Sequence, residues 1–521
     1  MQINELAEVL ALHPEVDILA KELNKKRNQH FLLTDLRASA QAIILSALHQ
    51  KLANKNAAQP MIIVLDDNDA AQYMYADIKT LMGEKDVYIF PCSHRRRQKT
   101  DEALTVQRTE VLSALLTMRS LEDASLQDGS KTAYSFKPRP IIVTTPEALA
   151  ETVPNPQVLE KNKISLSVGE EIPISMLTNM LLNLDFKRVD FVYEPGQFAV
   201  RGGIVDVYSF AHDIPVRKDF FGDEVDSIRE FELETQLSQN KVDIVDIVGA
   251  QSEEKDSTTI LAYLPQETLW ISNDFGLMKF KMTSTITDID VETIVNHIGQ
   301  SSTLELNQKS FFNNHEIVSF DTLPQPTFNK NFDLLISDLQ QHINEGYKIY
   351  ILADQVKQTD RLKAIFEDKE SGIQFVAIDH TLHEGFIDRS AKICCYTDHQ
   401  IFERYHRVSL RSENARRGKA IITLKEINQL QVGDYVVHVD HGIGQFAGLV
   451  TTNFHGRPQE TIKLTYKGGD TVFVSIHNLH RISKYKGREG SEPTISRLGS
   501  GAWERMKERT KDKVKDIARA Q

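Results

Sequence analysis

Short apolar runs alternate with amphipathic stretches over the first 150 residues. Four runs have the length of buried strands: Phe31–Leu36, Met61–Leu65, Val87–Phe90 and Ile141–Thr145. Two stretches between them repeat apolar residues at helical spacing, Ser39–Leu52 and Ala70–Leu81. Strands that alternate with helices form parallel sheets covered on both faces, so the pattern predicts an α/β fold of the nucleotide-binding kind.

The loop after the first predicted strand lacks the residues that bind phosphate. Thr34–Ser39 contains neither the glycines that let amides surround a phosphate nor the lysine that offsets its charge. Gly418-Lys419 does not complete such a motif either, because Ala420 follows it. Asp66-Asp67 is interpreted as a solvated strand end before a helix start near Asp69, in preference to a magnesium site. We therefore expect no ATP-hydrolysing centre in this chain.

Strand and turn patterns replace the α/β rhythm between Tyr193 and Ser238. Gln197–Phe210 alternates apolar and polar residues, and Gly202-Gly203 interrupts it, which predicts a tight turn or a bulge. Pro215–Glu232 contains a second turn at Gly222. The region is interpreted as one antiparallel sheet within a small α+β insert.

Four further segments follow. From Phe332 the chain again alternates helix and strand patterns, which predicts a second α/β domain, and the polar segment Arg411–Lys419 is interpreted as a linker. Leu430–Tyr485 shows five short strand patterns with glycine turns, typical of a small β-barrel. Trp503–Gln521 repeats opposite charges at four-residue spacing, which predicts a helix lying along a protein surface.

Composition narrows the function classes. The chain has 521 residues, of which 41% are hydrophobic and 26% charged, as expected of several soluble domains. No apolar run approaches the roughly 20 residues of a membrane-spanning helix and no signal peptide is apparent, so we expect a cytoplasmic protein. The net charge of −12 argues against a protein that binds nucleic acid with its whole surface. Three cysteines, two of them adjacent, predict neither a disulfide framework nor a zinc site.

Two motifs resemble those of bacterial transcription-repair coupling factors. The first, PGQFAVRGGIVDVYSF with PVRKDFFGDEVDSIREFELETQLS, looks like the segment that this family shares with the excision-repair protein UvrB. The second, VGDYVVHVDHGIGQFAGL with IKLTYKGGDTVFVSIHNLHRISKY, is similar to the RNA-polymerase-interacting domain of this family and of CarD-type transcription factors. UvrB lacks the second motif and CarD proteins lack the first, so their order in one chain selects the coupling factors. Leu498–Ala518 resembles the family's helix between the polymerase module and the motor.

The resemblance implies an α/β multidomain fold and a domain order. The parts are a degenerate RecA-like, UvrB-like core (1–150 and 243–325), a UvrA-binding α+β insert (151–242), a second α/β domain (326–410), a linker (411–428), a five-stranded Tudor- or CarD-like β-barrel (429–488) and a C-terminal linker helix (495–521). The family's motor, which uses ATP and Mg²⁺, is expected beyond these residues. The chain is accordingly expected to be part of a longer protein and not an enzyme by itself.

The implied function is transcription-coupled DNA repair. The barrel would bind the β subunit of a stalled RNA polymerase, the motor would act on double-stranded DNA, and the insert would recruit UvrA. The chain is expected to be a monomer without a cofactor or metal of its own. Two alternatives remain open: a stand-alone CarD-type transcription regulator, and a helicase fragment with residual nucleotide binding.

The resemblance also implies contact residues. For UvrA these are Arg188, Arg201 and Tyr208, although Arg201 could merely satisfy a turn and Tyr208 could pack within the sheet. For polymerase they lie on Glu460–Tyr466, taken as an edge strand with Ile462 and Leu464 on one side and Lys463 on the other. At least one of the two apolar residues should fill the barrel core, and alternation does not say which side faces the partner.

Two polar clusters have competing interpretations. Arg95, Arg96 and Arg97, beside His94 and Lys99, could contact DNA phosphates or form a solvated loop. A second set lacks the helical spacing of zinc enzymes and is interpreted as structural, with Gly442 and Gly444 forming a turn: His438, Asp440, His441, His477 and His480.

Overall fold

A computed structural model describes residues 3–25, 28–54, 59–83, 86–93, 102–128, 139–233, 235–249, 257–285, 289–404, 431–438, 440–454, 457–475, 482–485, 493, 495–498 and 503. The chain divides into two compact units, each treated separately below. The first unit comprises Met1–Lys161 and Gln251–Leu410, and the second comprises Asn162–Ala250 and Arg411–Gln521. No described helix is both long and apolar enough to cross a membrane.

The α-helices of the described residues are, in chain order, α1 (Ile3–Ala11), α2 (Pro14–Lys25), α3 (Ala40–Asn54), α4 (Asn68–Met82), α5 (Glu102–Asp128), α6 (Pro146–Leu149), α7 (Pro156–Lys161), α8 (Ile174–Asn183), α9 (Phe275–Ser284), α10 (Val291–Gly299), α11 (Phe332–Asn344), α12 (Val356–Asp368) and α13 (Asp398–Ile401).

The strands of the first half are β1 (His30–Thr34), β2 (Met61–Val64), β3 (Val87–Phe90), β4 (Ile141–Thr144), β5 (Val153–Pro154), β6 (Lys163–Ser167), β7 (Lys187–Arg188), β8 (Gln197–Arg201), β9 (Ile204–Tyr208), β10 (Val216–Phe221), β11 (Glu224–Phe231), β12 (Ser238–Val242) and β13 (Ile244–Val248). Those that follow are β14 (Ser257–Thr258), β15 (Leu269–Ser272), β16 (Ser302–Glu305), β17 (Glu316–Ser319), β18 (Thr322–Pro324), β19 (Lys348–Leu352), β20 (Val376–Ile378), β21 (Phe386–Asp388), β22 (Ile393–Thr397), β23 (Tyr435–His438), β24 (Gly442–Phe454), β25 (Arg457–Thr465), β26 (Thr471–Ser475) and β27 (Ile482–Lys484).

The first unit contains the predicted parallel sheet. Its strand order is β17-β1-β16-β15-β2-β4-β3, and every pairing in it is parallel. The four predicted apolar runs are confirmed as β1 to β4. β15 and β16, which follow the insert in sequence, lie between β1 and β2. Residues on both sides of the insert therefore belong to one sheet.

A second α/β sheet shares the core of the first. Its order is β18-β21-β22-β19-β20, with β19 parallel to both neighbours and β21 antiparallel to both of its own. Tyr350, Leu352 and Cys395 from this sheet belong to the same apolar cluster as Leu33 and Ile63 from the first sheet. The predicted second α/β sheet is therefore present, and it is packed continuously with the first sheet within one compact unit.

The insert forms a six-stranded sheet in the second unit. Its order is β12-β11-β10-β9-β8-β7, and β6 pairs with β13 beside it. Gly202 has φ +61° in the two-residue turn between β8 and β9, and Gly222 has φ +66° in the turn between β10 and β11. Both predicted turns are confirmed. The insert extends past the expected boundary at 242, because β13 pairs with β6 and not with the core.

Five antiparallel strands form the remaining sheet of the second unit, in the order β26-β25-β24-β23-β27. The predicted number of strands is confirmed, while the Tudor-like barrel and the RecA-like core remain predictions. Tyr193 from the insert is buried in the core of this sheet with Val436 and Leu464, and Phe191 packs against the same cluster. The insert and this sheet therefore share one apolar contact.

Lys218 is a buried cation inside the insert. Its side chain is fully buried on the face of β10 that packs with Val205 and Ile228, and Nζ has no hydrogen-bond partner among the described residues. Burial lowers the pKa of Lys218 to about 7, against a smaller raising effect of the Asp206 charge. Between pH 7 and 10 the unfolded chain binds more protons here than the folded chain, so stability rises with pH.

We predict that Lys218→Met raises the free energy of unfolding of the insert at pH 7 by roughly 4 kcal/mol, because it removes the cost of burying a charge. It should also remove most of the rise in stability between pH 7 and 10. Hydrogen exchange of Val216–Phe221 in increasing urea measures both effects. Lys241→Met, the same change at an exposed site of this sheet, should have little effect. Equal responses of the two variants would contradict the prediction.

Candidate docking surfaces

A buried carboxylate holds the predicted Arg201 in place. Asp206 on β9 is fully buried and accepts a hydrogen bond from Arg201 Nη2 at the end of β8. It also accepts two hydrogen bonds from Arg217 on β10, from Nε at 2.7 Å and from Nη2 at 2.9 Å. This planar pairing raises the pKa of Arg217. Two guanidinium groups are therefore fixed around one carboxylate.

Arg201 remains available to a partner. Its side chain is 34% exposed, and its guanidinium lies 4.9 Å from the centre of the Phe191 ring, close enough for a cation–π contact. A planar guanidinium held between a carboxylate and an aromatic ring loses little conformational freedom when it binds an acidic partner group. Arg201 is therefore held within the insert and keeps part of its side chain accessible, and its role in UvrA binding stays a prediction.

Arg188 lies on the other face of the sheet. It is exposed on β7, the edge strand, where it pairs with Phe198 of β8. Directly paired residues share a face, and residues three apart on a strand point to opposite faces. Arg188 is therefore on the face of Phe198, whereas Arg201 points the opposite way. The structure does not bring these two arginines together on one flat surface.

Tyr208 corrects an expectation of direct contact. Its side chain is fully buried with Ala199 and Phe231, and its hydroxyl donates a hydrogen bond to the Asp213 carbonyl at 2.9 Å. Alternation shows which residues share a face but not which face is covered, so the sequence could not exclude this position. Tyr208 packs on the same face of the sheet as Arg201 but is covered, so it cannot itself contact a partner in this arrangement.

Sequence reasoning missed three residues around Arg201. Arg217 and Asp206 lie opposite each other on adjacent strands, and Phe191 lies in the connection between β7 and β8. VRKDFF carried no signal for Arg217, because its neighbour Lys218 is also charged although it is buried. Asp206 has a signal within IVDVY, where it is the polar residue between two valines. Phe191 has no such pattern, because it lies outside any strand.

The second predicted surface is corrected by strand order. β25 lies between β24 and β26, and Thr461–Thr465 is paired on both sides, so Glu460–Tyr466 is not an edge strand. Ile462 and Leu464 are both buried, at 1% and 0% exposure, in the core of the sheet. Lys463 is half-buried, opposite Phe473 of β26. The backbone of this segment cannot accept an added strand.

Among the described residues, no strand pairs with the distal half of β24 on the side away from β25. β23 pairs with β24 only at Gly442–Gln445, whereas β24 continues to Phe454 alongside β25. A register shift between Phe446 and Leu449, with Gly448 at φ +107°, separates the two halves. Leu449 is 40% exposed and lies directly across from the buried Ile462, which lies across from Val474. One apolar row therefore runs from the sheet core to an edge that no described strand covers.

Several predicted residues fall outside the described part of the chain. These are Arg95, Arg96, Arg97, His477, His480 and all of the C-terminal helix except Trp503. Within the described residues, the rings of His438 and His441 are stacked with centroids 4.5 Å apart, and the Asp440 N–H donates to His438 Nδ1 at 3.1 Å. The described residues contain no group of three metal-ligating side chains.

The loop expected to lack a phosphate site has a defined turn. After β1 ends at Thr34, Asp35 and Ala38 adopt φ near +54° and +53°, and α3 begins at Ala40. Asp67 caps α4 by accepting a hydrogen bond from the Ala70 N–H at 2.8 Å, which agrees with its interpretation as part of a helix start.

Comparison with known proteins matches both modules. Residues 164–252 match the UvrB interaction domain, and residues 430–486 match the CarD-like/TRCF RID domain. The chain is 24% identical over 597 aligned residues to a transcription-repair-coupling factor of Staphylococcus aureus (strain bovine RF122 / ET3-1), covering 96% of this chain and 49% of that protein. For the Staphylococcus haemolyticus (strain JCSC1435) protein of the same name the figures are 23%, 94% and 48%.

The chain is therefore homologous to transcription-repair-coupling factors over nearly its whole length, as the sequence motifs indicated. It spans about half the length of these curated relatives. The matched domain at 164–252 coincides with the insert of the second unit, which begins at Asn162 and ends at Ala250.

We predict that Asp206→Ala lowers the free energy of unfolding of the insert by about 3 kcal/mol or more, because it leaves two partly buried guanidinium groups without their carboxylate. Asp219→Ala is the matched control, since Asp219 pairs with Arg229 on the same sheet where both side chains are partly exposed. Its expected cost is below about 1 kcal/mol. Urea unfolding followed by hydrogen exchange measures both, and equal costs would contradict the prediction.

Proposed function

We propose that this chain supplies the docking steps of transcription-coupled DNA repair. In this proposal the five-stranded sheet binds the β subunit of a stalled RNA polymerase and the insert binds UvrA. The two matched domains and the homology to transcription-repair-coupling factors support this role. The ATP-dependent translocation on double-stranded DNA that displaces the polymerase, which the resemblance implies for the family, is not assigned to these residues.

The observation that carries the proposal is that the second unit offers two separate surfaces with different chemistry. One is a positioned guanidinium, Arg201, which suits an acidic surface on UvrA. The other is the distal edge of β24, which no strand in the described ranges covers and which suits backbone pairing with an extended strand. Charge recognition and strand addition do not compete for the same groups, so both partners can be bound by one unit.

The UvrA surface centres on Arg201. Its guanidinium is partly exposed, and Arg217 shares its carboxylate partner. Arg188, on the opposite face at the edge strand, belongs to this surface only if UvrA wraps around that edge. Tyr208 acts indirectly, by supporting the strand that precedes the Asp213 turn.

The polymerase surface is placed at Leu449 and the edge beside it. An incoming strand that pairs with residues 449–454 would extend the sheet and cover the exposed end of the apolar row. Ile462 and Leu464 then support this surface by packing in the core of the sheet, and Lys463 faces the opposite side. β26 is the competing edge, because Phe473 on it is 51% exposed.

We predict that Arg201→Ala weakens binding of UvrA about tenfold or more, as expected for an arginine at the centre of an interface. Binding is measured by calorimetry or surface plasmon resonance with purified UvrA. Lys241→Ala is the control, because β12 lies four strands from β8, roughly 19 Å by strand spacing. Arg188→Ala reports whether the edge contributes. Unchanged binding by Arg201→Ala would contradict the assigned surface.

We predict that Leu449→Asp weakens binding of the polymerase β subunit at least tenfold, because it places a charge on the apolar row that the added strand would cover. Phe473→Asp is the matched control at the other edge and should change binding less than about threefold. A pull-down followed by quantitative titration measures both variants. If Phe473→Asp abolishes binding and Leu449→Asp does not, polymerase docks on β26 and the assignment to β24 is wrong.

A further inference from the structure

A cleft of about 360 Å³ lies in the first unit at the carboxyl ends of its parallel strands. Its walls include Ser39, which follows β1, Leu65, which follows β2, and Asn273, which follows β15. Tyr73 and Asp77 line it from α4. Ligands of open α/β sheets bind at this end of the strands. The cleft is therefore where a molecule of this fold class would normally hold its ligand.

The chain's own residues Leu382–Gly385, here called the plug, reach into this cleft from the second α/β sheet. The His383 N–H donates to Asp77 Oδ1 at 2.8 Å, and the Glu384 N–H donates to Ser39 Oγ at 2.9 Å. Ser39 in turn donates to Asp77 Oδ2 at 2.5 Å. Two backbone amides of the plug are thus bound by a buried serine–aspartate pair.

Other contacts hold the plug from both sides. The His383 ring stacks on Tyr73 with centroids 3.5 Å apart and planes 10° from parallel. Leu382 is fully buried in the core that the two sheets share. At the base, the Gly385 N–H donates to Gln400 Oε1 at 2.7 Å, and a Cβ on Gly385 would lie 2.7 Å from the Cys395 carbonyl oxygen. The plug is therefore anchored in its own sheet and latched to the other.

We propose that Leu382–Gly385 is a built-in plug that narrows the cleft from one side, and that Ser39 and Asp77 form a proton-dependent lock that holds it. This gives the second α/β sheet a role as an internal ligand of the first sheet. The plug places Glu384 in the lining of the cleft, at the end of the sheet where a phosphate would otherwise bind, so the cleft repels anionic ligands while the plug is latched. The inference does not depend on the proposed docking function.

The proton dependence follows from the surroundings of Asp77. Burial raises the pKa of Asp77 to about 7, against the lowering effect of hydrogen bonds from Ser39 and His383, and the charge of Glu384 adds to the rise. The charged or titratable groups lining the cleft around it are Arg37, Tyr73, His383 and Glu384. Arg37 lies close to the Asp35 carboxylate, 3.7 Å away, and half of its side chain is exposed.

Proton linkage determines whether the plug is held more tightly at low or at high pH. With the plug released, Asp77 is hydrated and has its ordinary pKa, so it is ionised above about pH 4. With the plug latched, Asp77 keeps a proton up to about pH 7. The free energy that favours the latched state is thus largest at the acid end, falls as pH rises towards 7 and changes little above that value.

Hydrogen exchange of the His383 and Glu384 amides in the full chain tests the lock directly, because these two N–H groups are its donors. After correction for the intrinsic pH dependence of exchange, we expect protection to fall about tenfold for each pH unit between 5 and 7 and to level off above 7. The amide of Tyr350 in β19 serves as an internal reference for the fold. Protection that stays constant with pH would overturn the proton-dependent lock.

Two variants separate the lock from general instability. Asp77→Asn keeps the shape and an acceptor for the His383 N–H but cannot ionise, so protection should remain high and independent of pH. Asp77→Ala should lose protection at His383 and Glu384 at every pH, with Tyr350 unchanged. If Asp77→Asn shows the pH slope of the natural chain, another group titrates and the proposal is wrong. If Asp77→Ala leaves both amides protected, the plug does not depend on Asp77.

Discussion

Strand pairing is the constraint that decides where this molecule can accept a partner. Every backbone N–H and C=O in a sheet interior is already satisfied by its neighbours, so strand addition is possible only where a ladder ends. In the five-stranded sheet the inner pairing of β25 excludes Thr461–Thr465, and no strand among the residues that the structure describes covers the far half of β24 beyond the short β23. The exposed Leu449 then matters because it lies on that open edge.

Buried ionisable groups impose the second constraint, because each must offset the cost of leaving water. The three groups do so in different ways. Asp206 is stabilised by two guanidinium groups, one of which remains partly exposed for a partner. Asp77 receives hydrogen bonds from an adjacent hydroxyl and from a distant amide, which ties two regions of the chain together. Lys218 has no described partner and is accommodated by a lowered pKa. A buried charge therefore positions a site, locks a segment or reduces stability, according to its partners.

Much of the fold was predictable from local sequence. Apolar runs such as Met61–Leu65 and Ile141–Thr145 are strands because only a fully covered strand is apolar on both faces. The turn at Gly202 was predictable because a two-residue hairpin needs positive φ. Strand order was not, because β15 and β16 enter the first sheet after an insert of about 90 residues, and local periodicity carries no record of such distant pairing.

The sites were less predictable for the same reason. Alternation placed Ile462 and Leu464 on one side of a strand, but only the neighbouring strands show that this side is the core. Tyr208 has the alternation of an exposed-face residue and is buried by Phe231, which comes from another strand. The contact of His383 with Asp77 joins residues 306 positions apart, and no motif in either segment indicates it. Chemistry created by tertiary contact leaves no periodic signal in the sequence.

Phe191 and Tyr193 connect the two proposed docking surfaces physically. Tyr193 is buried in the core of the five-stranded sheet, and its neighbour Phe191 packs against the same core while its ring contacts the Arg201 guanidinium. Only one aromatic side chain thus lies between the Arg201 guanidinium and the apolar core of the five-stranded sheet. Because packed cores transmit small displacements, the geometry of Arg201 depends on how that sheet is seated on the insert. The two surfaces are chemically separate but are held by a single core.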